Sequence, residues 1–167
     1  NNWRKNGWKI NYGVLYEFVR YNNSTFTKLT LPGGSIDTID FSSAVDIHKW
    51  GAFGQVSRSF VEGRLLLSLG ARIDGNSYST QMAKTYETFS PRFSISYAVN
   101  DQFNLNANVG RYFQLPPYTT LGFQNNAGTL VNKENGLKYI TSNHAVLGGE
   151  FINKTGLKVS VEGFLKY

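Results

Sequence analysis

The chain has no cysteine, which excludes a disulfide-stapled domain and a thiolate metal site without fixing the compartment. Charge is also scarce: Asp, Glu, Lys and Arg make up 17% of the residues, against about 25% in ordinary globular proteins. The net charge is +6, yet Lys and Arg are scattered and form no cluster, which argues against a nucleic-acid partner. No apolar run reaches about 18 residues, so there is no transmembrane helix. The opening Asn1-Asn2-Trp3-Arg4 is not a signal peptide, which implies a mature or truncated start.

Catalytic signatures are missing too. There is no nucleophile elbow, P-loop, HExxH or dinucleotide fingerprint, so neither catalytic residues nor a cofactor are expected, and the chain does not read as an enzyme. His48 and His144 have no ligand-spaced partner, and Asp37, Asp40 and Asp46 match no defined cation site, so no metal is assigned.

What the chain does have is alternation. Of its 167 residues 41% are apolar and 15% aromatic, and from residue 93 the apolar ones take every second place: Phe93, Ile95, Tyr97, Val99. After Asn100-Asp101 the pattern resumes as Phe103, Leu105, Ala107 and Val109 against Gln102, Asn104, Asn106 and Asn108, then runs out through Gly110-Arg111-Tyr112-Phe113-Gln114-Leu115-Pro116-Pro117. Period two marks the two strands of a hairpin, each with an apolar and a polar face.

The same rule predicts a first strand over residues 8–19, with Trp8, Ile10, Tyr12, Val14, Tyr16 and Phe18 on one face. It is long by soluble standards, where about five or six residues is usual, and matches the 9 to 11 or so that cross a bilayer at a tilt. A second strand is expected over residues 49–57, a third over 64–74, a sixth over 144–151 and a seventh over 157–166. Residues 21–47, 75–88 and 113–139 read as long connections, the first broken by Pro32-Gly33-Gly34. Long and short connections then alternate, which would put every short turn at one end of the sheet, as in outer-membrane barrels.

Alternation alone does not say which face meets lipid, since a soluble lipocalin-like barrel turns the same apolar stripe inward. The apolar stripe carries no charge between the strand ends, as mid-bilayer positions require, although a soluble core would exclude charge as well. Aromatics gather near the strand ends, with Trp8, Phe60, Tyr97, Phe103 and Phe151 toward the short turns and Phe18, Trp50, Phe89 and Tyr112 toward the long loops. Such belts suit membrane interfaces, and strands favour aromatics in any case. The polar face holds Arg64, Arg72, Asp74, Arg92, Glu150, Lys158 and Glu162, suited to a wet or plugged lumen.

Several runs carry a family likeness. Ser90-Pro91-Arg92-Phe93-Ser94-Ile95-Ser96-Tyr97 and Gly110-Arg111-Tyr112-Phe113-Gln114-Leu115-Pro116 resemble the barrel of TonB-dependent outer-membrane receptors, as do Leu69-Gly70-Ala71-Arg72-Ile73-Asp74, the segment from Gly136 to Phe151, and Gly163-Phe164-Leu165-Lys166-Tyr167. Tyr139 and Ile140 depart from it, standing where the family often has Pro-Glu. Nothing resembles the plug domain or the energy-coupling box.

The family barrel has about 22 strands. The expected fold is therefore all-β, an antiparallel up-and-down transmembrane β-barrel segment of about seven strands, with residues 1–167 forming one barrel segment of a larger receptor. The resemblance implies an outer-membrane location, contact with lipid, a plug domain, the energy-transducing TonB as partner, and import of a nutrient such as a siderophore or glycan. Candidate ligand contacts are the loop aromatics Tyr78, Tyr86, Tyr112, Phe113, Tyr118 and Phe123, and candidate lumen or plug contacts are Arg72, Arg92, Glu150 and Glu162. A small complete barrel with a structural or adhesive role, closed by an eighth strand near residues 1–8, and a soluble lipocalin-like binder are the alternatives.

Overall fold

The structure, a computed structural model, describes residues 1–125 and 127–167. It is one antiparallel sheet of eight strands in sequence order. These are β1 (Asn2–Lys5), β2 (Trp8–Thr30), β3 (Ile36–Phe60), β4 (Leu65–Asn76), β5 (Ser90–Ala98), β6 (Phe103–Gln114), β7 (Ile140–Ile152) and β8 (Lys158–Lys166). Two single-turn helices, α1 (Tyr118–Leu121) and α2 (Val131–Glu134), lie between β6 and β7.

The strand count is eight, not seven, because Asn6-Gly7 turns the start of the chain back on itself and pairs Asn2 to Asn11. Among the described residues β1 pairs only with β2 and β8 only with β7, so the sheet has two open edges. The eighth strand expected of a small closed barrel is present, but it does not close this sheet.

A larger correction concerns residues 21–47, expected as a loop. They are the outer part of a hairpin in which β2 and β3, 23 and 25 residues long, stay in register from Trp8↔Arg58 to Thr30↔Ile36. The reason is compositional: Tyr21, Thr25, Phe26, Thr27, Ile39, Phe41, Val45 and Ile47 are good strand formers, although they do not alternate strictly with polar residues. Pro32-Gly33-Gly34 breaks the pattern only at the tip, where Gly33 (φ 109°) and Gly34 (φ 83°) take the left-handed conformation and Leu31 and Ser35 close the turn. The three acids of this segment are cross-strand residues, Asp46 opposite Arg20, Asp40 opposite Phe26 and Asp37 opposite Leu29.

Register fixes the faces. Val14 (85% exposed), Leu69, Val109, Leu147 (67%) and Val161 stand on one side, uncovered. A lipocalin-like fold would bury this stripe. The other face is polar and partly covered: Gln55, Ser68, Arg72, Arg92, Ser94, Asn108 and Tyr112, from four neighbouring strands, line a single depression of about 490 Å³, so the sheet curls toward this side. Close packing there includes the Phe53 ring, which lies over Gly13 where a Cβ would come within 2.8 Å of it.

The buried core sits at the long-loop end of the polar face. Val45 and Ile47 of β3 pack against Tyr78, Met82 and Leu121, with Leu115, Tyr118, Leu130, Leu137 and Tyr139 around them. Two of the three connections at that end therefore fold back over the polar face and are built around an apolar centre of their own.

Candidate functional site

The polar face is lined with paired side chains, some within a strand and some across strands. Arg72 forks onto Asp74 two residues along β4, with Nη2–Oδ1 2.6 Å and Nε–Oδ2 2.7 Å. Lys49 Nζ lies 2.8 Å from Glu17 and 3.4 Å from the Tyr118 hydroxyl, which ties the β2–β3 hairpin to α1. Lys158 meets Glu150 at 2.6 Å, and the Glu162 side chain folds across Gly148. Arg92 differs from these: its guanidinium lies 4.5 Å from the Tyr112 ring centroid, and the Tyr112 ring in turn lies tilted against that of His144, with centroids 4.6 Å apart, the His144 Nε2 being 2.9 Å from the Ser142 hydroxyl. All four residues assigned to the lumen wall, Arg72, Arg92, Glu150 and Glu162, thus lie on the polar face. Cation–π contact leaves the guanidinium edge of Arg92 free to donate into the depression.

The mouth is formed by the loops. Tyr78 is 2% exposed and its hydroxyl donates to the Leu121 carbonyl at 2.8 Å. Asn76 Nδ2 donates to the Tyr139 hydroxyl at 2.8 Å while its Oδ1 accepts from the Tyr78 backbone N–H. Burial disfavours the phenolates and raises the pKa of both tyrosines above the ordinary value.

The loop aromatics do not gather at one place. Tyr78 is a packing residue inside the loop cluster, because its ring fills the gap between the loops and Ile47, so it presents no face to a ligand here. Tyr118 is half-buried, stacked on Tyr21 with centroids 5.7 Å apart. Tyr112 points into the depression, whereas Phe113, its neighbour on β6, falls on the apolar face by strand alternation. Phe123 meets Phe41 edge-on at 5.6 Å and is 39% exposed. Tyr86 is the most exposed of the six, at 72%. Of the six, those open to a solute are therefore Tyr112, beside Arg92 in the depression, and the exposed parts of Tyr118, Phe123 and Tyr86 at the long-loop end.

Sequence reasoning missed Lys49, Asn76, Tyr139 and Leu121 as parts of this region. The available signal was apolar: Met82, Leu121, Leu130 and Leu137 are poorly placed in a loop that meets only water.

A family model described as "TonB dependent receptor-like, beta-barrel" matches residues 1–167. The chain belongs to the TonB-dependent receptor β-barrel family. Among solved structures the fold is similar to "Copper transporter OprC", with a TM-score of 0.64 and 21% sequence identity over 99% of this chain. The chain spans 28% of that protein's length. No curated protein matches the sequence. For a TonB-dependent receptor barrel the exposed apolar face is the lipid side and the polar face the lumen, with the short turns periplasmic and the long loops extracellular.

Proposed function

We propose that this chain is part of an outer-membrane TonB-dependent transporter that captures a nutrient at its extracellular mouth and passes it through the lumen, with no bond chemistry of its own. The observation that carries the reading is the sidedness of one continuous sheet. Its apolar stripe is bare, its polar stripe is lined with Arg, Glu, Asn and Ser, and two long loops fold over the polar side at one end only. That is the layout of a wet passage with a gated mouth.

In this reading Arg92, Tyr112 and the rim aromatics Tyr118, Phe123 and Tyr86 offer a cation and π faces to a ligand such as a siderophore or glycan. Arg72, Glu150 and Glu162 offer hydrogen bonds to a plug domain that fills the lumen, and TonB supplies the energy that moves the plug once a ligand is bound. OprC's copper is not carried over, because 21% identity speaks for fold alone. The open β1 and β8 edges favour a segment of a larger barrel over a small closed one.

The test uses the whole receptor in its cell. Cells with the gene intact or deleted are offered ferric siderophores and oligosaccharides one at a time, with and without a functional energy transducer. Uptake that needs both the receptor and the transducer is expected. A parent protein recovered in the aqueous fraction without detergent, or uptake indifferent to the transducer, would refute the reading.

A further inference from the structure

The lipid-facing side of β1–β4 carries two cations at its periplasmic rim, Lys5 and Arg58. They stand in one cross-strand row: Lys5 pairs with Trp8, Trp8 with Arg58, and Arg58 with Leu67. Arg58 does not extend freely into water. Its guanidinium carbon lies 4.7 Å from the Trp8 ring centroid and 5.0 Å from that of Phe60, so two aromatic faces hold the fork at the level of the rim. Among the described residues neither Arg58 nor Lys5 forms an ion pair or a side-chain hydrogen bond. One step deeper on the same face are Ile10, Val56 and Leu69, all apolar.

A cation fixed between aromatic rings, with a second cation beside it and bare hydrocarbon surface directly below, is complementary to one kind of molecule. We propose that Lys5, Trp8, Arg58 and Phe60 form a binding site for a phospholipid of the periplasmic leaflet. Arg58 donates its fork to the lipid phosphate, Lys5 adds a point charge, and an acyl chain lies along Ile10, Val56 and Leu69. Rings on either side restrict the guanidinium before the lipid arrives, so little side-chain freedom is lost on binding. Arg4 and Lys9, which pair across the same two strands one residue along, face the lumen and serve as the internal comparison: same height, same charge, no lipid.

The inference rests on the membrane reading above, and its test is arranged to separate the two. The full-length receptor is purified in mild detergent, stripped of lipid, and titrated with phosphatidylglycerol while native mass spectrometry counts bound lipid. Arg58→Gln should weaken retention about fivefold, and Lys5→Gln by a similar factor, as expected for one basic group at a lipid surface. Lys9→Gln should leave retention unchanged. Diacylglycerol should not bind at this site, and excess inorganic phosphate should not displace the phospholipid.

Wild-type retention by Arg58→Gln, or an equal loss in Lys9→Gln, would overturn the site. Displacement by inorganic phosphate would overturn it as a lipid site and leave a simple anion site. Heat-modifiable mobility on gels confirms that each variant is folded. A receptor that sheds lipid on Arg58→Gln yet imports nothing would refute transport alone. One that imports normally and ignores Arg58→Gln would refute the lipid site alone.

Discussion

Replacing Tyr78 by Ala should open the mouth without unfolding the barrel. The ring is 2% exposed and is packed within a cluster that otherwise holds Val45, Ile47, Met82 and Leu121. Truncating a buried aromatic costs about 3 to 5 kcal/mol, and its hydroxyl is the one that meets the Leu121 carbonyl at 2.8 Å, which would be left unpaired. The strands keep their own ladders, so the loss should appear as local opening rather than global unfolding. At about 1.4 kcal/mol per factor of ten, even the low end raises the open population roughly a hundredfold. The assay is hydrogen exchange of the receptor in detergent, read at the loop amides of Leu121, Gly122 and Leu137, which are hydrogen-bonded within the loops. Tyr78→Phe, which loses the hydrogen bond and keeps the ring, should raise exchange only about fivefold, near 1 kcal/mol. If exchange at these amides were unchanged in Tyr78→Ala, or if strand amides of β5 and β6 accelerated equally, the loops would not be held by this cluster.

Other outcomes follow from the same geometry. The phenols of Tyr78 and Tyr139 are raised in pKa by burial, so above the unfolded value of about 10 the open state loses protons that the closed state retains; loop stability should be intact below that pH and fall as pH rises through it. Phenolate absorbance and loop proteolysis should then change together, and proteolysis indifferent to alkali would count against the buried phenols. Val14→Arg, on the lipid face between the aromatic rims, should cost about 2 to 4 kcal/mol in a liposome folding assay, whereas Asn106→Arg on the lumen face should cost close to nothing; equal costs would reverse or erase the assigned faces. Val61, β-branched and held at φ 53° in the β3–β4 turn, stores strain, and Val61→Asn should stabilise by about 1 kcal/mol in denaturant midpoints. No gain there would mean that the turn is not strained.

The transmembrane part of the fold was legible because lipid on one side and water on the other impose a strict alternation, which Phe93 to Val109 display without interruption. Beyond the bilayer that constraint lapses. Residues 21–47 were unreadable as sheet for this reason: Asn22 and Asn23 of β2 and Asp37 and Asp40 of β3 are residue types disfavoured in strands, and only the register between β2 and β3 gives each a cross-strand neighbour. β1 is short, too brief for periodicity to register. At the candidate site the faces of Arg72, Arg92, Glu150 and Glu162 followed from parity alone. The fate of Tyr78 did not, since a tyrosine in a polar loop looks the same whether it awaits a ligand or packs a cluster; what decides is the distant Ile47 beneath it, a contact no local pattern encodes.

The β2–β3 ribbon continues for residues 36–48 past the last β4 pair, Lys49↔Asn76, which at about 3.3 Å per residue is some 40 Å of two-stranded sheet. Beyond that pair no third strand among the described residues hydrogen-bonds to the ribbon to hold its register, and a slip by two residues would keep every side chain on its own face. Three cross-strand clips forbid that slip together: Glu17 on Lys49 at 2.8 Å, the Tyr16 hydroxyl on His48 Nδ1 at 2.7 Å, and the doubly bonded Arg20–Asp46 pair at 2.8 Å. All three sit within a few residues of one another, where the ribbon leaves the barrel. The emerging hairpin is thus indexed at its root, like a zipper started at the correct tooth, and the position of its tip above the membrane is set there.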